Sequence, residues 1–180
     1  QNLSTRSKPD GGALPLILEK WISNIQAAVK AQCNADGDDF DELVERRIYA
    51  VAGSLEGMVN GFEFAKAVAA YWNAYRRDDA AMKSNVLKWF RGEYPSRKEA
   101  KEDLGINFIV SDETWYDFLK IFAAFLVGAG YKGLLVMIDE LVNIYKIPNS
   151  ITRANNYEKL LTIYNDVLQG KARHIGFLMG

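Results

Sequence analysis

One short stretch constrains the fold more than any other part of the chain. Leu134 to Ile138 is an unbroken apolar run, with Gly133 before it and the acids Asp139 and Glu140 after it. A run without polar alternation is typical of a strand buried on both faces of a parallel sheet, because both of its faces must then be apolar. The stretch therefore predicts an α/β protein.

A second buried strand is predicted at Arg173 to Gly180, after an intervening helix. Asn155 is the expected N-cap of this helix, and Gly170 its end. A strand, a helix and a strand in this order predict a right-handed parallel crossover. The expected core face of the helix is Tyr157, Leu160, Leu161, Tyr164 and Leu168.

Apolar residues at helical spacing predict that residues 1–130 are mainly helical, and residues 131–180 then form a strand–helix–strand core. Ser96 and Glu99 form a capping box that opens a short helix ending at Gly105. The predicted inward faces of the other helices are Leu14, Ile17, Leu18, Trp21, Ile22, Ile25 and Val29; Leu43, Ile48 and Val51; Phe62, Ala65, Val68, Ala69, Trp72 and Tyr75; Met82, Val86, Trp89 and Phe90; and Trp115, Phe118, Leu119, Phe122, Phe125, Leu126 and Ala129.

Composition narrows the class of protein. A chain of 180 residues fits one domain, and a net charge of -1 argues against a general coat for nucleic acid or a membrane surface. The longest uncharged stretch, Ile121 to Tyr131, is far short of the roughly 20 apolar residues that cross a bilayer, so no membrane partner is expected. The single cysteine, Cys33, cannot form an internal disulfide, which favours a cytoplasmic protein.

The two ends of the chain suggest an internal piece of a larger protein. The sequence begins at a glutamine rather than a methionine, and it stops at Gly180, directly after the apolar run Ile175 to Met179. We therefore expect neighbouring segments of a parent chain on both sides.

The acids after the first strand carry the chemistry. Ligands of open α/β sheets bind beyond the carboxyl ends of the strands, where Asp139 and Glu140 lie. Mg²⁺ is held by one or two carboxylates together with water and substrate phosphates. We expect Asp139 to hold a hydrated Mg²⁺ and Glu140 to orient water for phosphoryl transfer. The alternative is a strand that simply meets solvent through two acids.

Several stretches resemble the P-loop ATP-binding proteins of BREX-type bacterial phage-defence systems. They are Gly133–Glu140, Asn155–Leu161 and Asn165–Lys171, with a looser similarity at Ser4–Leu14 and Trp115–Leu119. The resemblance implies the fold of the additional-strand P-loop ATPases, the group that contains AAA+ enzymes. It also implies that Asp139 is the Walker B carboxylate for Mg²⁺ and Glu140 the catalytic, water-activating glutamate.

The phosphate-binding half of such a site is missing. No G-x-x-x-x-G-K-[ST] motif occurs in the sequence, so the backbone cradle and lysine that hold the nucleotide phosphates are absent. We expect ATP and Mg²⁺ to be cofactors of the intact parent, and this fragment alone to bind neither tightly and to be inactive. The expected partners are the remainder of the parent chain and, through the edge of strand 173–180, a second copy.

Other charged residues are weaker candidates. Arg153, in a predicted polar loop after Pro148, is a possible arginine finger or a solvated loop residue, and His174 is expected to be structural. The basic residues between Arg76 and Lys101 are nearly balanced by acids, which favours a solvated face over a nucleic-acid contact. The competing function is a helical interaction module that binds protein or nucleic acid without catalysis.

Overall fold

A computed structural model describes residues 3–5, 7, 9, 12–32, 38–53 and 60–180. The chain is mostly helical with one small parallel sheet, as predicted. Cys33 lies outside the described residues. The elements are α1 (Leu14–Gln32), α2 (Asp38–Gly53), α3 (Gly61–Arg76), α4 (Ala80–Phe90), α5 (Arg97–Leu104), α6 (Trp115–Gly128), β1 (Leu134–Ile138), a 3₁₀ helix (Leu141–Lys146), α7 (Ser150–Leu168) and β2 (Ile175–Met179).

The helices before β1 share one apolar core. Every residue predicted to face inward on α1 is buried, and Val86, Trp89 and Phe90 of α4 are buried with them. Phe64 lies at the centre of an aromatic cluster, with ring centroids 5.1 Å from Phe90, 5.9 Å from Phe118 and 5.2 Å from Phe125. The predicted core residues Phe118, Phe122 and Phe125 of α6 are thus confirmed, whereas Trp115 and Leu119 are only partly buried.

Two predicted inward faces were partly wrong. Phe62 and Tyr75 of α3 are 52% and 49% exposed, whereas Phe64 and Tyr71 are buried in their place. The helix carries apolar side chains on most of its circumference, so spacing alone does not select the face that packs. On α2, Ile48 is buried as expected, but Val44 is fully buried while Leu43 and Val51 are only partly so.

The predicted capping box is confirmed. The Ser96 side chain accepts a hydrogen bond of 3.2 Å from the Glu99 backbone N–H, and α5 ends before Gly105, which has a positive φ of 68°.

The two predicted strands pair in parallel. Leu134 lies opposite Ile175 and Ile138 opposite Met179, so the strands keep one register along their whole length. Gly133 allows them to meet, because a Cβ added there would lie 2.3 Å from the carbonyl oxygen of His174. That carbonyl accepts a hydrogen bond of 2.8 Å from Leu134 N–H.

Burial of β1 on both faces was a wrong prediction. Leu134 and Val136 pack with Phe177 against Leu119 and Ala123 of α6, and so does the start of β2. The other face of the sheet is open, with Leu135 64%, Met137 72% and Leu178 58% exposed. The reason is that the described part of the chain covers only one side of this sheet.

Two predictions about α7 were also wrong. The helix begins at Ser150, with Asn149 as N-cap: its side chain accepts bonds of 2.9 and 3.0 Å from the N–H groups of Ile151 and Thr152. Asn155 therefore lies inside the helix, because Asn149 already accepts hydrogen bonds from the backbone N–H groups that have no partner at the start of the helix. Ile163 is the residue of α7 that is buried, whereas the residues expected in the core are exposed or, for Leu160, half-buried.

A membrane span was not found. Among the helices of the described ranges, none combines the length and the apolar character that crossing a bilayer requires.

Candidate functional site

The carboxyl ends of β1 and β2 form one rim of the sheet. Gly180 N–H donates a hydrogen bond of 3.0 Å to the carbonyl of Ile138, and Leu141 N–H donates one of 2.9 Å to the carbonyl of Gly180. The ladder thus continues one step past both strands. Asp139 and Glu140 follow Ile138 directly, so both lie at this rim, as the sequence predicts.

Glu140 does not continue the strand. Its φ of 57° and ψ of 31° are left-handed, and it is the residue before the 3₁₀ helix. This conformation costs a residue with a Cβ about 1–2 kcal/mol and is enriched at functional sites. The alternation of side chains along β1 therefore stops at Asp139, and the turn rather than the strand sets the direction of the Glu140 side chain.

Hydrogen bonds hold both acids of the turn. Oδ1 of Asp139 accepts a bond of 2.8 Å from Glu140 N–H. The Asn143 side-chain amide donates a bond of 2.8 Å to Oε2 of Glu140, and Asn143 N–H donates another of 2.8 Å to the Glu140 carbonyl. The three-residue spacing of Glu140 and Asn143 is a sequence signal for such a turn. The apolar pattern of the strand does not contain this signal.

Both carboxylates face solvent without a cationic partner. Asp139 and Glu140 are exposed, and within the described ranges no lysine or arginine forms an ion pair with either of them. Each side chain also retains one oxygen, Oδ2 of Asp139 and Oε1 of Glu140, with no hydrogen bond to the described residues. Both oxygens can therefore accept hydrogen bonds from water or from a hydrated cation.

Arg153 does not lie in a loop, which corrects its predicted position. It is in the first turn of α7, because that helix begins at Ser150. Its Nη1 donates a hydrogen bond of 2.7 Å to the carbonyl of Ile147, and no hydrogen bond or ion pair of the described residues joins it to Asp139 or Glu140. A role as an arginine finger stays a prediction and would require this bond to break.

A cavity lies beside the rim. Its volume is about 410 Å³, and it is bounded by Ile138 of β1, Trp115 of α6, Ile144 of the 3₁₀ helix and the α7 face with Asn156 and Lys159. Lys159 Nζ donates a bond of 2.6 Å to the carbonyl of Asp112. The sequence did not predict this cavity, because it is bounded by four separate elements of the fold, and neither Asp139 nor Glu140 lines it.

Polar contacts join helix α7 to helix α6. Tyr116 donates a hydrogen bond of 3.1 Å from its hydroxyl to Oδ2 of Asp166, and Lys120 Nζ lies 3.5 Å from the same oxygen. Burial, and then this hydrogen bond, raise the pKa of Tyr116 above its ordinary value. These contacts hold α7 against α6, the helix that covers one face of the sheet.

The sequence model of one protein family matches residues 1–180, and that family is described as "BREX system ATP-binding protein BrxC/D". No curated protein and no solved structure matches the chain significantly.

Proposed function

Because the chain belongs to the BREX system ATP-binding protein BrxC/D family, we propose that Asp139 and Glu140 form the magnesium-and-water side of its ATP site. The cradle for the nucleotide phosphates is then contributed by polypeptide outside these residues. The proposed fold of the whole is that of an additional-strand P-loop ATPase acting in phage defence.

The position of the two acids carries the proposal. They follow a strand of a parallel sheet without an intervening residue, and they lie at the carboxyl rim, where α/β sheets bind their ligands. Two exposed adjacent acids with no cationic partner in the described chain are unfavourable neighbours, since like charges repel. A bound cation offsets that repulsion, which is a reason for this pair at this place.

Asp139 is the proposed holder of the metal. Its Oδ1 is fixed by Glu140 N–H, and its Oδ2 is directed by that bond while making no hydrogen bond of its own to the described residues. This oxygen would accept from the hydration shell of Mg²⁺. Bound there together with ATP, Mg²⁺ would supply positive charge that offsets the negative charge developing in phosphoryl transfer.

Glu140 is the proposed positioner of the attacking water. Asn143 occupies Oε2, so Oε1 is the oxygen that can accept a hydrogen bond from water. The left-handed backbone and the Asn143 bonds restrict the carboxylate to few positions, which is the pre-organisation that a water-orienting group requires. Groups of this kind typically contribute about 10²–10⁴-fold to turnover.

The sequence supports a shared site. It contains no G-x-x-x-x-G-K-[ST] motif, so residues 1–180 offer no backbone cradle for the phosphates. We therefore propose that these residues alone do not hydrolyse ATP and bind it no more tightly than roughly millimolar, or about 4 kcal/mol. The open sheet face of Leu135, Met137 and Leu178 is where further parent elements, or a second copy at the edge of β2, would pack. The single cysteine fits a cytoplasmic site of action.

The metal assignment is tested by the Mg²⁺ dependence of ATP turnover in the full-length protein. Asp139→Asn should raise the Mg²⁺ concentration at half-maximal turnover by at least about tenfold, the size of effect that a hydrogen-bonded group beyond the inner ligands exerts. Asp112→Asn is the matched control, because Asp112 is also exposed but precedes α6. An unchanged Mg²⁺ requirement in Asp139→Asn would remove the assignment.

A further inference from the structure

Helix α7 carries an apolar stripe that nothing in the described chain covers. Tyr157, Leu161, Tyr164 and Leu168 are 45%, 60%, 61% and 67% exposed. Their spacing of four, three and four residues is that of the d, a, d and a positions of a heptad repeat. A seam with this spacing is suited to contact a second helix along its length.

The stripe lies on the flank of α7 that points away from α6. Toward α6, Asp166 accepts from Tyr116, Lys159 donates to the Asp112 carbonyl, and Ile163 is 2% exposed. At 3.6 residues per turn, the direction of Asp166 and Lys159 is about 180° from the mean direction of the stripe. Helix α7 therefore contacts α6 through the opposite side, and the stripe has no partner among the described residues. The exposure of the stripe does not result from loose packing between α7 and α6.

Charge is nearly absent from the outer side of α7. Of the charged residues on the helix, Arg153, Lys159 and Asp166 are engaged with other parts of the chain. Only Glu158 lies near the stripe without an ion pair in the described chain. An outer face with one charge offers little electrostatic selection for a charged partner and little repulsion against an identical face.

We propose that this stripe binds the same stripe of a second copy, with the two α7 helices antiparallel. In that arrangement Tyr157 faces Leu168 of the second copy, and Leu161 faces Tyr164 of the second copy. Every layer then contains one tyrosine and one leucine, so all layers have the same width. A parallel pairing in register would instead alternate wide tyrosine layers with narrow leucine layers, which packs less evenly.

The electrostatics and the size of the surface agree with a homodimer. Antiparallel pairing places Glu158 beside Asn165 of the second copy and separates the two copies of Glu158 along the seam, so the two acids do not meet. With Val167, 43% exposed, the stripe buries roughly 500–600 Å² per copy, or about 1,000 Å² in total, at the low end of specific interfaces. The inference does not depend on the roles of Asp139 and Glu140, which lie outside α7.

Sedimentation equilibrium of the 180-residue chain tests the dimer. We expect reversible dimerisation from about 5 µM to about 500 µM, because interfaces at the low end of the size range are typical of weak, transient associations. Leu161→Asp should weaken it at least about tenfold, whereas Thr162→Asp, at an exposed position about 130° around the same helix from the stripe, should leave it within about twofold. A chain that stays monomeric throughout, or a dimer that Leu161→Asp does not weaken, overturns the proposal.

Disulfide trapping tests the direction of pairing. Two proteins are prepared with Cys33→Ser, one also carrying Leu161→Cys and the other Tyr164→Cys. When they are mixed and oxidised, the antiparallel arrangement predicts that the 161–164 heterodimer forms in excess over both homodimers. An excess of 161–161 and 164–164 homodimers overturns it. Circular dichroism and thermal unfolding establish that each variant is folded, as expected for substitutions at residues about 60% exposed.

Discussion

Asn143 holds Glu140 through two hydrogen bonds of 2.8 Å, one from its side-chain amide to Oε2 and one from its backbone N–H to the carbonyl. These bonds close a turn at the end of β1 in which Glu140 adopts φ 57°. A residue that keeps a side chain in this conformation is retained at some cost in stability. In our proposal, this position requires the carboxylate of Glu140 rather than a particular backbone conformation.

Replacing Glu140 by glycine measures what the left-handed turn contributes to the free energy of unfolding. Glycine removes the left-handed penalty of about 1–2 kcal/mol, which offsets the loss of one exposed hydrogen bond worth about 0.5–1.5 kcal/mol. We expect the free energy of unfolding of Glu140→Gly to stay within about 1 kcal/mol of the wild type in urea. Glu158→Gly, in the exposed interior of α7, is the control and should cost about 1 kcal/mol. A Glu140→Gly variant clearly less stable than this control would contradict the account of the turn.

The two candidate caps of α7 give opposite expectations. Asn149→Ala removes the acceptor for Ile151 and Thr152 N–H and should lower the free energy of unfolding by about 1 kcal/mol. Asn155→Ala, at an exposed position inside the helix, should leave stability unchanged or raise it by up to about 0.5 kcal/mol. Thermal unfolding of both variants measures the difference, and the reverse order would restore Asn155 as the cap.

Alkaline pH should loosen the contact between α6 and α7. Burial and the bond to Asp166 raise the pKa of Tyr116, so the folded chain holds this proton more tightly than the unfolded chain. Its contribution is complete below about pH 10, the ordinary value for tyrosine, and is lost as the pH rises toward the folded pKa. The free energy of unfolding of Tyr116→Phe should be about 1 kcal/mol lower than that of the wild type at pH 7. At alkaline pH it should fall less steeply than the free energy of unfolding of the wild type.

The control for this measurement is Tyr145→Phe. Tyr145 is 59% exposed, and its hydroxyl makes no hydrogen bond in the described chain. Urea unfolding of both variants between pH 7 and pH 11 compares the two slopes. If Tyr116→Phe follows the wild-type slope throughout, the hydrogen bond to Asp166 does not contribute as described.

The strands were predictable because their signal is local. The apolar run from Leu134 to Ile138 has glycine on one side and acids on the other, and the structure gives β1 those bounds. Which faces would be covered was not predictable, because an apolar run is compatible with one covered face or two. That outcome depends on α6, which reaches only the side of Leu134 and Val136.

The same limit applies to helices that are apolar on several sides. Phe62 and Phe64 are two residues apart on α3, so either could face inward, and the cluster of Phe90, Phe118 and Phe125 selects Phe64. At the candidate site, sequence reasoning located Asp139 and Glu140 but not the turn that orients Glu140. The turn depends on the left-handed φ of Glu140 and on its hydrogen bond from Asn143. Neither feature can be derived from the apolar pattern of the strand.

The rate of ATP hydrolysis by the full-length protein carrying Glu140→Gln tests the central claim most directly. Glutamine keeps the size of the side chain and a hydrogen bond to Asn143 but removes the carboxylate. We expect ATP to bind with near-normal affinity and turnover to fall by at least about 10²-fold, while Glu158→Gln on α7 changes neither. Turnover close to the wild-type rate in Glu140→Gln would contradict the assignment of Glu140 as the group that positions water.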